Sequence, residues 1–497
     1  MQRKSSCLNQ DWQCPFPAIP PTAGDEAIPV CVDLDGTLIK SDLLLELLFE
    51  LLRRKPFFVF LLPIWLMKGK ANLKNQITQH VDIDPSLLPY NGRLLAELRS
   101  LKTAGRRLVL ATAANEKLAR QVADHLGLFD RVIASDDQNN LSGTHKRDAL
   151  VQAFGEAGYD YAANGRRDRP VWKSARNAIV VNASKDVTAW AQQNCNVTQT
   201  MDGPKRSLRT YAKAIRIHQW LKNILVFVPL ILSHRILEPE AVFHALIAFL
   251  SFCLLASSAY VLNDLLDLAW DRQHPRKCKR PFAAGDIPIW HGVAMIPVML
   301  VLALLLSLLL PRQFLLVACG YYIITLAYSL RIKQMPILDT LTLAGLFTLR
   351  IFAGAAALGI TVSFWLLAFS MFAMLSLAMV KRYVELSTLR DRASQQMTGR
   401  GYEESDLDSL SQFGIASGYL SVLVLALYIN SDVVKVLYPH PEALWLICPI
   451  GLYIISRIWL LARRDQMPDD PVVFAIQDRR SQLMVLAGAI VLWLAAL

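Results

Sequence analysis

Two hydrophobic patterns divide the chain near residue 205. Before that point short apolar runs alternate with amphipathic stretches. Ile28–Leu34, Arg107–Thr112, Arg131–Ser135 and Ala178–Asn182 read as short buried strands, with helical stretches between them, as in a parallel α/β sheet. After it, apolar runs of membrane-crossing length recur. The pattern predicts spans at about 216–234, 241–262, 287–310, 313–330, 337–358, 363–380, 413–430, 442–460 and 482–497, nine in all. Residues 1–27 read as a disordered, proline-containing polar tail, and residues 201–215 as a basic linker suited to an anionic membrane surface. One apolar run breaks the pattern of the first half. Phe57–Met67 is too short to span a bilayer. With Arg53, Arg54, Lys55, Lys68 and Lys70 around it, it fits either the core of a helical cap or a segment lying in the membrane interface.

Composition sharpens this division. The chain has 497 residues, 54% of them hydrophobic, and a net charge of +11. In a membrane protein that charge points to basic cytosolic loops and anionic substrates or lipids; no RNA- or DNA-binding module is visible. The distribution of Lys and Arg fixes the predicted orientation. With residues 28–200 in the cytosol, the inner loops carry Arg272, Arg276, Lys277, Lys279, Arg280, Arg331, Lys333, Lys381, Arg382, Arg390, Arg392, Arg400, Arg463, Arg464, Arg479 and Arg480. The outer loops carry Arg235, Arg312 and Lys435 alone. This predicts a multi-pass protein of a bacterial-type inner membrane, with its active sites on the cytosolic side. Eight scattered cysteines without a CxxC pair predict neither a zinc site nor a disulfide framework, and the polar N-terminus predicts no signal peptide.

The candidate chemistry begins at Asn263–Gly285, NDLLDLAWDRQHPRKCKRPFAAG, directly after an apolar run. Asp264, Asp267 and Asp271 stand at i, i+3 and i+7, so a continuous helix puts all three on one face with Asn263 beside it. Carboxylates that close repel one another unless a cation lies between them. Hard Mg²⁺ takes oxygen ligands and commonly bridges to substrate phosphates. Lys277, Lys279 and Arg280 follow at once, suited to phosphate oxygens. The segment reads as a Mg²⁺–diphosphate site at the mouth of a membrane bundle. Arg350 falls inside an apolar span, where a charge needs a partner or a cavity.

In the first half, VCVDLDGTL sets Asp33 and Asp35 at a strand end, followed by Gly36 and Thr37. One carboxylate can attack phosphorus while the other moves the proton. This motif resembles the haloacid dehalogenase (HAD)-like phosphatase superfamily, and further matches follow in order. Thr112 in LVLATAAN stands at that family's phosphate-binding position, Lys146 in SGTHKRDAL matches its lysine, and YAANGRRD stands where a metal loop is expected. There Asn164 replaces the first acid and Asp168 supplies the second. The resemblance implies Asp33 as nucleophile and metal ligand, Asp35 as acid/base and Asp168 as metal ligand.

The second half resembles the UbiA superfamily of intramembrane prenyltransferases. Its His274-Pro275, Lys277, Arg280-Pro281 and Ala284-Gly285 extension is similar to the branch that uses decaprenyl phosphate as a phosphoribosyl acceptor. Other matches are Gln219-Trp220, Lys222-Asn223, Tyr328-Ser329, Lys333, Asp339, Arg350, Gly354, Lys381, Arg382, Glu385, Arg400–Tyr402, Asp469, Asp470 and Asp478. A second acid expected after Asp339 is replaced by Leu343, which favours a mixed site for metal and anion. The sequence thus predicts a multidomain chain: an N-terminal α/β Rossmann-like HAD domain over 28–200 and an all-α membrane bundle of about nine transmembrane helices over 216–497. The implied reaction is Mg²⁺-dependent transfer of 5-phosphoribosyl from phosphoribosyl diphosphate to a polyprenyl phosphate. Asp264, Asp267 and Asp271 would hold the metal, Lys277 and Arg280 the donor, and Lys333, Arg350 and Lys222 the acceptor phosphate or the ribose 5-phosphate. The HAD domain would then remove the 5-phosphate. Aromatic prenylation from an allylic diphosphate, a membrane-anchored lipid-phosphate phosphatase and a cation transporter are the alternative readings.

Overall fold

The computed structural model describes residues 28–497 except 137–139, 205–206, 391–400, 432–433, 435–437, 469–473, 475–477 and 497. The expected tail 1–27, together with Arg400, Asp469 and Asp470, lies outside the described residues. The chain forms two compact units. One joins the residues up to Ile215 with Tyr260–Ile296; the other joins Arg216–Ala259 with Pro297–Leu497.

The first unit is built on six parallel strands: β1 (Val30–Val32), β2 (Leu108–Asn115), β3 (Arg131–Ser135), β4 (Asp160–Ala163), β5 (Asn177–Val181) and β6 (Val197–Met201). Their order is β3-β2-β1-β4-β5-β6. Alternation along the strands fills two cores. Val30, Val32, Leu108, Leu110 and Val181 pack on one face with α1 (Leu43–Arg54), α2 (Leu62–Met67), α3 (Lys70–His80), α4 (Gly92–Thr103) and α5 (Glu116–Leu126). Cys31, Val109, Ala111, Ala178 and Val180 face α6 (Thr144–Phe154), α7 (Arg169–Ser174) and α8 (Lys185–Asn194). The pattern of the chain predicts four of these strands. β4 reads DYAA, with a leading acid and two alanines that carry little strand propensity. It is held instead by Asp160, which accepts from Arg106 at 2.7 Å and from Arg176 at 2.9 and 2.8 Å. β6, VTQTM, is an edge strand with a polar face.

The remaining helices are α9 (Leu208–Ala214), α10 (Val228–Leu232), α11 (Pro239–Leu266), α12 (Leu268–Gln273), α13 (Ile289–Ser307), α14 (Arg312–Leu330), α15 (Leu338–Ala357), α16 (Phe364–Arg390), α17 (Leu407–Ile429), Ile447–Arg463 and Arg479–Ala496. Among the described residues seven stretches suffice, by length and composition, to cross a membrane, so this is a multi-pass membrane protein. They are Pro239–Leu266, Ile289–Ser307, Arg312–Leu330, Leu338–Ala357, Phe364–Thr388, Glu404–Ile429 and Pro441–Arg463. The count reaches eight if Leu208–Ala214 and Ile217–Leu232 form one broken span. The sequence pattern gave nine. The first expected span is a 3-10 stretch, Ile217–Phe227, continued by α10, and Arg216 before it has a left-handed φ of 54°. Polar side chains at 218, 219, 222 and 223 interrupt its apolar face. The ninth corresponds to the helix Arg479–Ala496, which opens on two arginines.

Candidate active sites

β2 and β4 flank β1, so the carboxyl ends of these three strands open on one crevice, the usual ligand position in such a sheet. The sequence-predicted phosphate-handling residues sit there. Asp33 directly follows β1, Thr112 lies in β2 and Asp168 follows β4; all three are buried. Lys146 reaches in from α6. Its Nζ donates to Asp33 Oδ1 at 2.7 Å and to the Tyr161 hydroxyl at 3.0 Å, and lies 3.6 Å from Asp168 Oδ1. Tyr161 in turn donates to Asp168 Oδ1 at 3.0 Å, and the Gly165 amide donates to Asp168 Oδ2 at 3.0 Å. Thr112 Oγ1 accepts from the Ala114 amide at 3.0 Å. Two carboxylates thus share one cationic point, a donor set that fits a hard divalent ion. Gly36, at φ +73°, is required here: a Cβ would meet Asn164 Nδ2 at 2.1 Å.

Electrostatics separates the roles of the two motif acids. Burial raises the Asp33 carboxyl, and the Lys146 ammonium opposes that rise. Burial works against the charge on Lys146, but Asp33 and Asp168 outweigh it and keep the ammonium charged. Asp35 accepts from the Leu43 amide at 2.8 Å, at the start of α1. Burial and then the Asp42 charge lift it above the ordinary carboxylate range, which favours the protonated, acid form.

Two residues of this cleft escaped the sequence reading. Tyr161 lies on the unrecognised strand β4. Lys74, on α3, donates to the Ala113 carbonyl at 2.7 Å and to Asn140 Oδ1 at 2.9 Å, beside Thr112. A lone lysine in an ordinary helix gave no signal of that position.

The acid-rich segment does not form one continuous helix. Asp264 lies in the last turn of α11, Asp267 at the break with φ −102° and ψ 16°, and Asp271 in α12. Arg280 nevertheless brings the outer two together. Its Nη1 donates to Asp264 Oδ1 at 3.0 Å and to Asp271 Oδ2 at 2.6 Å. Because one nitrogen serves both, the two carboxylates converge on a point that a single cation fills, and their oxygens suit Mg²⁺. Asn263, Asp267 and Lys277 are half-buried. Among the described residues no group of three or more His, Cys, Asp or Glu side chains is arranged to hold one metal ion. Burial pushes the Asp271 carboxyl up to about 6, against the pull of Arg280.

Arg272, next to Asp271, ties this segment to the α/β fold of the same unit. Its side chain pairs bidentately with Glu46 of α1 at 2.5 and 3.0 Å. It also donates to the carbonyls of Ala283 at 2.9 Å and Leu87 at 3.3 Å. Both charges are almost fully buried. Arg53 lies over the Trp270 ring, 5.0 Å from its centroid. Gly285, at φ +72°, passes so close to Lys40 that a Cβ would lie 2.6 Å from Lys40 Cβ. Glu46 sits in a leucine-rich helix whose pattern announces only a packing face.

The second unit holds two further groups. Arg350 Nε donates to Asn223 Oδ1 at 2.8 Å and its Nη2 to the Tyr321 hydroxyl at 3.1 Å. Lys222 is buried over the Phe347 ring, and Gln219 is half-buried nearby in the chain. In the other group Arg382 pairs with Asp339 at 2.5 Å and with Glu385, while Tyr402 donates to Asp339 Oδ1 at 2.5 Å. Tyr328, Lys333 and Lys381 are half-buried. Asp339 thus has a buried arginine as a counterion, beside the mixed metal-and-anion site that the sequence suggested for Asp339 and Lys333.

This combination of a strand-end phosphate cleft and paired acids at the end of a membrane helix agrees with the comparisons. Residues 30–162 match the haloacid dehalogenase-like hydrolases, and residues 225–470 match the UbiA prenyltransferase family. The chain belongs to the UbiA prenyltransferase family, in a form fused to an N-terminal HAD-like domain. Among its relatives, the uncharacterized protein y4nM of Sinorhizobium fredii is 37% identical over 92% of this chain and 89% of its own length. Nodulation protein NoeC of Azorhizobium caulinodans is 35% identical over 56% of this chain and 91% of its own length. Decaprenyl-phosphate phosphoribosyltransferase of Mycolicibacterium smegmatis is 36% identical over 38% of this chain and 60% of its own length. Both families are typically Mg²⁺-dependent.

Proposed function

We propose that the chain transfers a 5-phosphoribosyl group from phosphoribosyl diphosphate to a polyprenyl phosphate and then removes the 5-phosphate. The observation that carries the first step is the Asp264–Arg280–Asp271 cluster, whose arginine belongs to the HPRKCKRP extension. It offers paired carboxylates for a metal and a guanidinium for phosphate oxygens at one point. The identity with a decaprenyl-phosphate phosphoribosyltransferase supports the choice of donor and acceptor.

In this reading Asp264 and Asp271, with Asp267 beside them, would hold Mg²⁺, which would supply charge neutralisation for the departing diphosphate. Arg280 and Lys277 hold the donor's phosphate oxygens. Lys222, Arg350 and Lys333 hold the acceptor phosphate or the ribose 5-phosphate. The acceptor phosphate is already ionised, so its oxygen attacks the ribose anomeric carbon without a general base, and the carbon–diphosphate bond breaks. Positioning and charge neutralisation supply most of the acceleration.

In the second step the Asp33 carboxylate attacks the 5-phosphate and the phosphorus–oxygen ester bond breaks. Asp35, held protonated by its surroundings, gives its proton to the leaving ribose oxygen. Asp35 then takes a proton from the water that hydrolyses the aspartyl phosphate. Lys146 and Thr112 hold the phosphate oxygens. Both active sites work on the cytosolic face of a bacterial inner membrane, as the placement of Lys and Arg indicates.

The test uses purified protein in nanodiscs with Mg²⁺. One mixture holds labelled phosphoribosyl diphosphate and polyprenyl phosphate, the other an allylic diphosphate and 4-hydroxybenzoate. The reading expects lipid-borne label from the first mixture, lost in Asp271→Asn. Product from the second mixture alone would replace it with aromatic prenylation.

A further inference from the structure

Between residues 28 and 207, every large hydrophobic residue that is exposed among the described residues falls in one stretch. These are Phe57, Val59, Phe60, Leu61, Ile64, Leu66 and Met67. Three of them are almost wholly bare: Phe57 is 81% exposed, Phe60 75% and Met67 88%. Beyond this stretch the exposed large hydrophobics begin again at Leu208 and continue along the apolar helices. The stretch therefore has the surface of a membrane segment on a domain that otherwise has the surface of a soluble one.

Its own packing explains why the side chains point outward. Pro56–Phe60 forms a 3-10 turn and Leu62–Met67 the short helix α2. Phe58 and Trp65 turn inward, their ring centroids 5.6 Å apart; Trp65 stacks on His80 of α3 and Phe58 meets the same ring edge-on. They pack against the sheet core and anchor the turn. A solvent-facing cap would carry polar groups on the opposite side. Here that side is apolar too, at 57, 60, 61, 64 and 67. Arg54 and Lys55 before it and Lys68 after it are exposed, so cations bracket the apolar face. Apolar side chains bounded by lysine and arginine are the pattern of a segment seated at the headgroup level of an anionic bilayer.

We infer that the Phe57–Met67 turn inserts into the surface of the bilayer that holds this chain's own spans, with Arg54, Lys55 and Lys68 on anionic headgroups. The occupant is lipid because the chain carries its bilayer with it, and because the bracketing charges match anionic lipid. The inserted turn leads straight into α3, whose Lys74 reaches the Ala113 carbonyl beside Thr112. The docking thus sets the phosphatase cleft to take a phosphate ester on a lipid. This consequence for substrate class rests on the proposed function; the docking itself does not.

The test places the photoreactive residue p-benzoylphenylalanine at Phe57 or Phe60, and at the exposed Gln192 of α8 as a control. The full chain is held in nanodiscs of phosphatidylcholine with phosphatidylglycerol. Neither phenylalanine position packs in the core, so the fold tolerates the change. The inference expects lipid adducts at 57 and 60, none at 192, and a lower yield in Lys55→Glu/Lys68→Glu. Absence of lipid adducts overturns it, as do cross-links to a second copy of the chain. A separate arm reads the substrate class. In Phe57→Asp/Phe60→Asp, hydrolysis of p-nitrophenyl phosphate stays unchanged while KM for the lipid-linked phosphate rises about tenfold or more. Lipid adducts without that split would keep the docking and reject the lipid-phosphate reading.

Discussion

In the strand-built cleft Asp33 and Asp168 close on Lys146, whose side chain is 4% exposed; in the acid-rich segment Asp264 and Asp271 close on Arg280, which is 25% exposed. The carboxylates are about equally buried in both places, and the difference lies in their counterions. Lys146 projects from a helix packed on the sheet and adds a bond to Tyr161, so it is a fixed part of its site. Arg280 follows a 3-10 turn and stands at the open edge of its pair. An anionic substrate reaches its guanidinium without unpacking a core. A site that only needs to orient one phosphate ester group suits the first arrangement. A site that admits a diphosphate and a metal together suits the second.

The largest effects should come from breaking the two sites separately. Asp33→Asn is expected to lower hydrolysis of a soluble phosphate ester by about a thousandfold or more, as loss of a nucleophile does, while label still enters the lipid. Asp271→Asn is expected to lower phosphoribosyl transfer by about a hundredfold or more and to leave the soluble phosphatase rate unchanged. An assay of both activities on each variant checks the separation; loss of both together would show that the two regions are not independent sites.

The Glu46–Arg272 pair gives the next effect. Glu46→Ala leaves a buried guanidinium without its carboxylate and should cost about 3–5 kcal/mol, read as a lowered unfolding midpoint in detergent. Glu46→Leu with Arg272→Met should recover most of that loss, since apolar replacement removes the stranded charge. A double variant no better than the single one would show that the pair contributes more than mutual neutralisation.

A smaller change sharpens the comparison from the other side. Asn164→Asp restores the first acid of the metal loop and should lower the Mg²⁺ concentration for half-maximal phosphatase activity by about tenfold. The smallest effect concerns stability. Asp35 binds its proton more tightly in the folded chain than in the unfolded one, chiefly through burial. Its contribution is full below the ordinary carboxylate range and is lost as pH rises through the raised folded value. Asp35→Asn should therefore match the parent at about pH 4 and show a higher unfolding midpoint as pH rises toward neutrality.

The parts of this molecule legible in the sequence are those where one residue's pattern suffices. VCVDLDGTL shows a strand and its acids together, and β1, β2, β3 and β5 lie where apolar runs put them. Apolar runs likewise locate the long helices. What the sequence hid depends on partners far along the chain. Glu46 lies 226 residues from Arg272, and Asn223 lies 127 from Arg350. β4 is held by arginine pairs more than by strand propensity, which is why Tyr161 went unread. The spacing of Asp264, Asp267 and Asp271 implied one helical face. The chain breaks at Asp267 instead, and Arg280 is what joins the outer two.

The most direct measurement follows one labelled ribose through both sites. Wild-type protein and Asp33→Asn in nanodiscs receive labelled phosphoribosyl diphosphate, polyprenyl phosphate and Mg²⁺, and the extracted lipid is weighed by mass spectrometry. The account predicts labelled lipid from both, with the Asp33→Asn product heavier by one phosphate. Labelled lipid of the same mass from both would contradict the second step, and no labelled lipid from either would contradict the account as a whole.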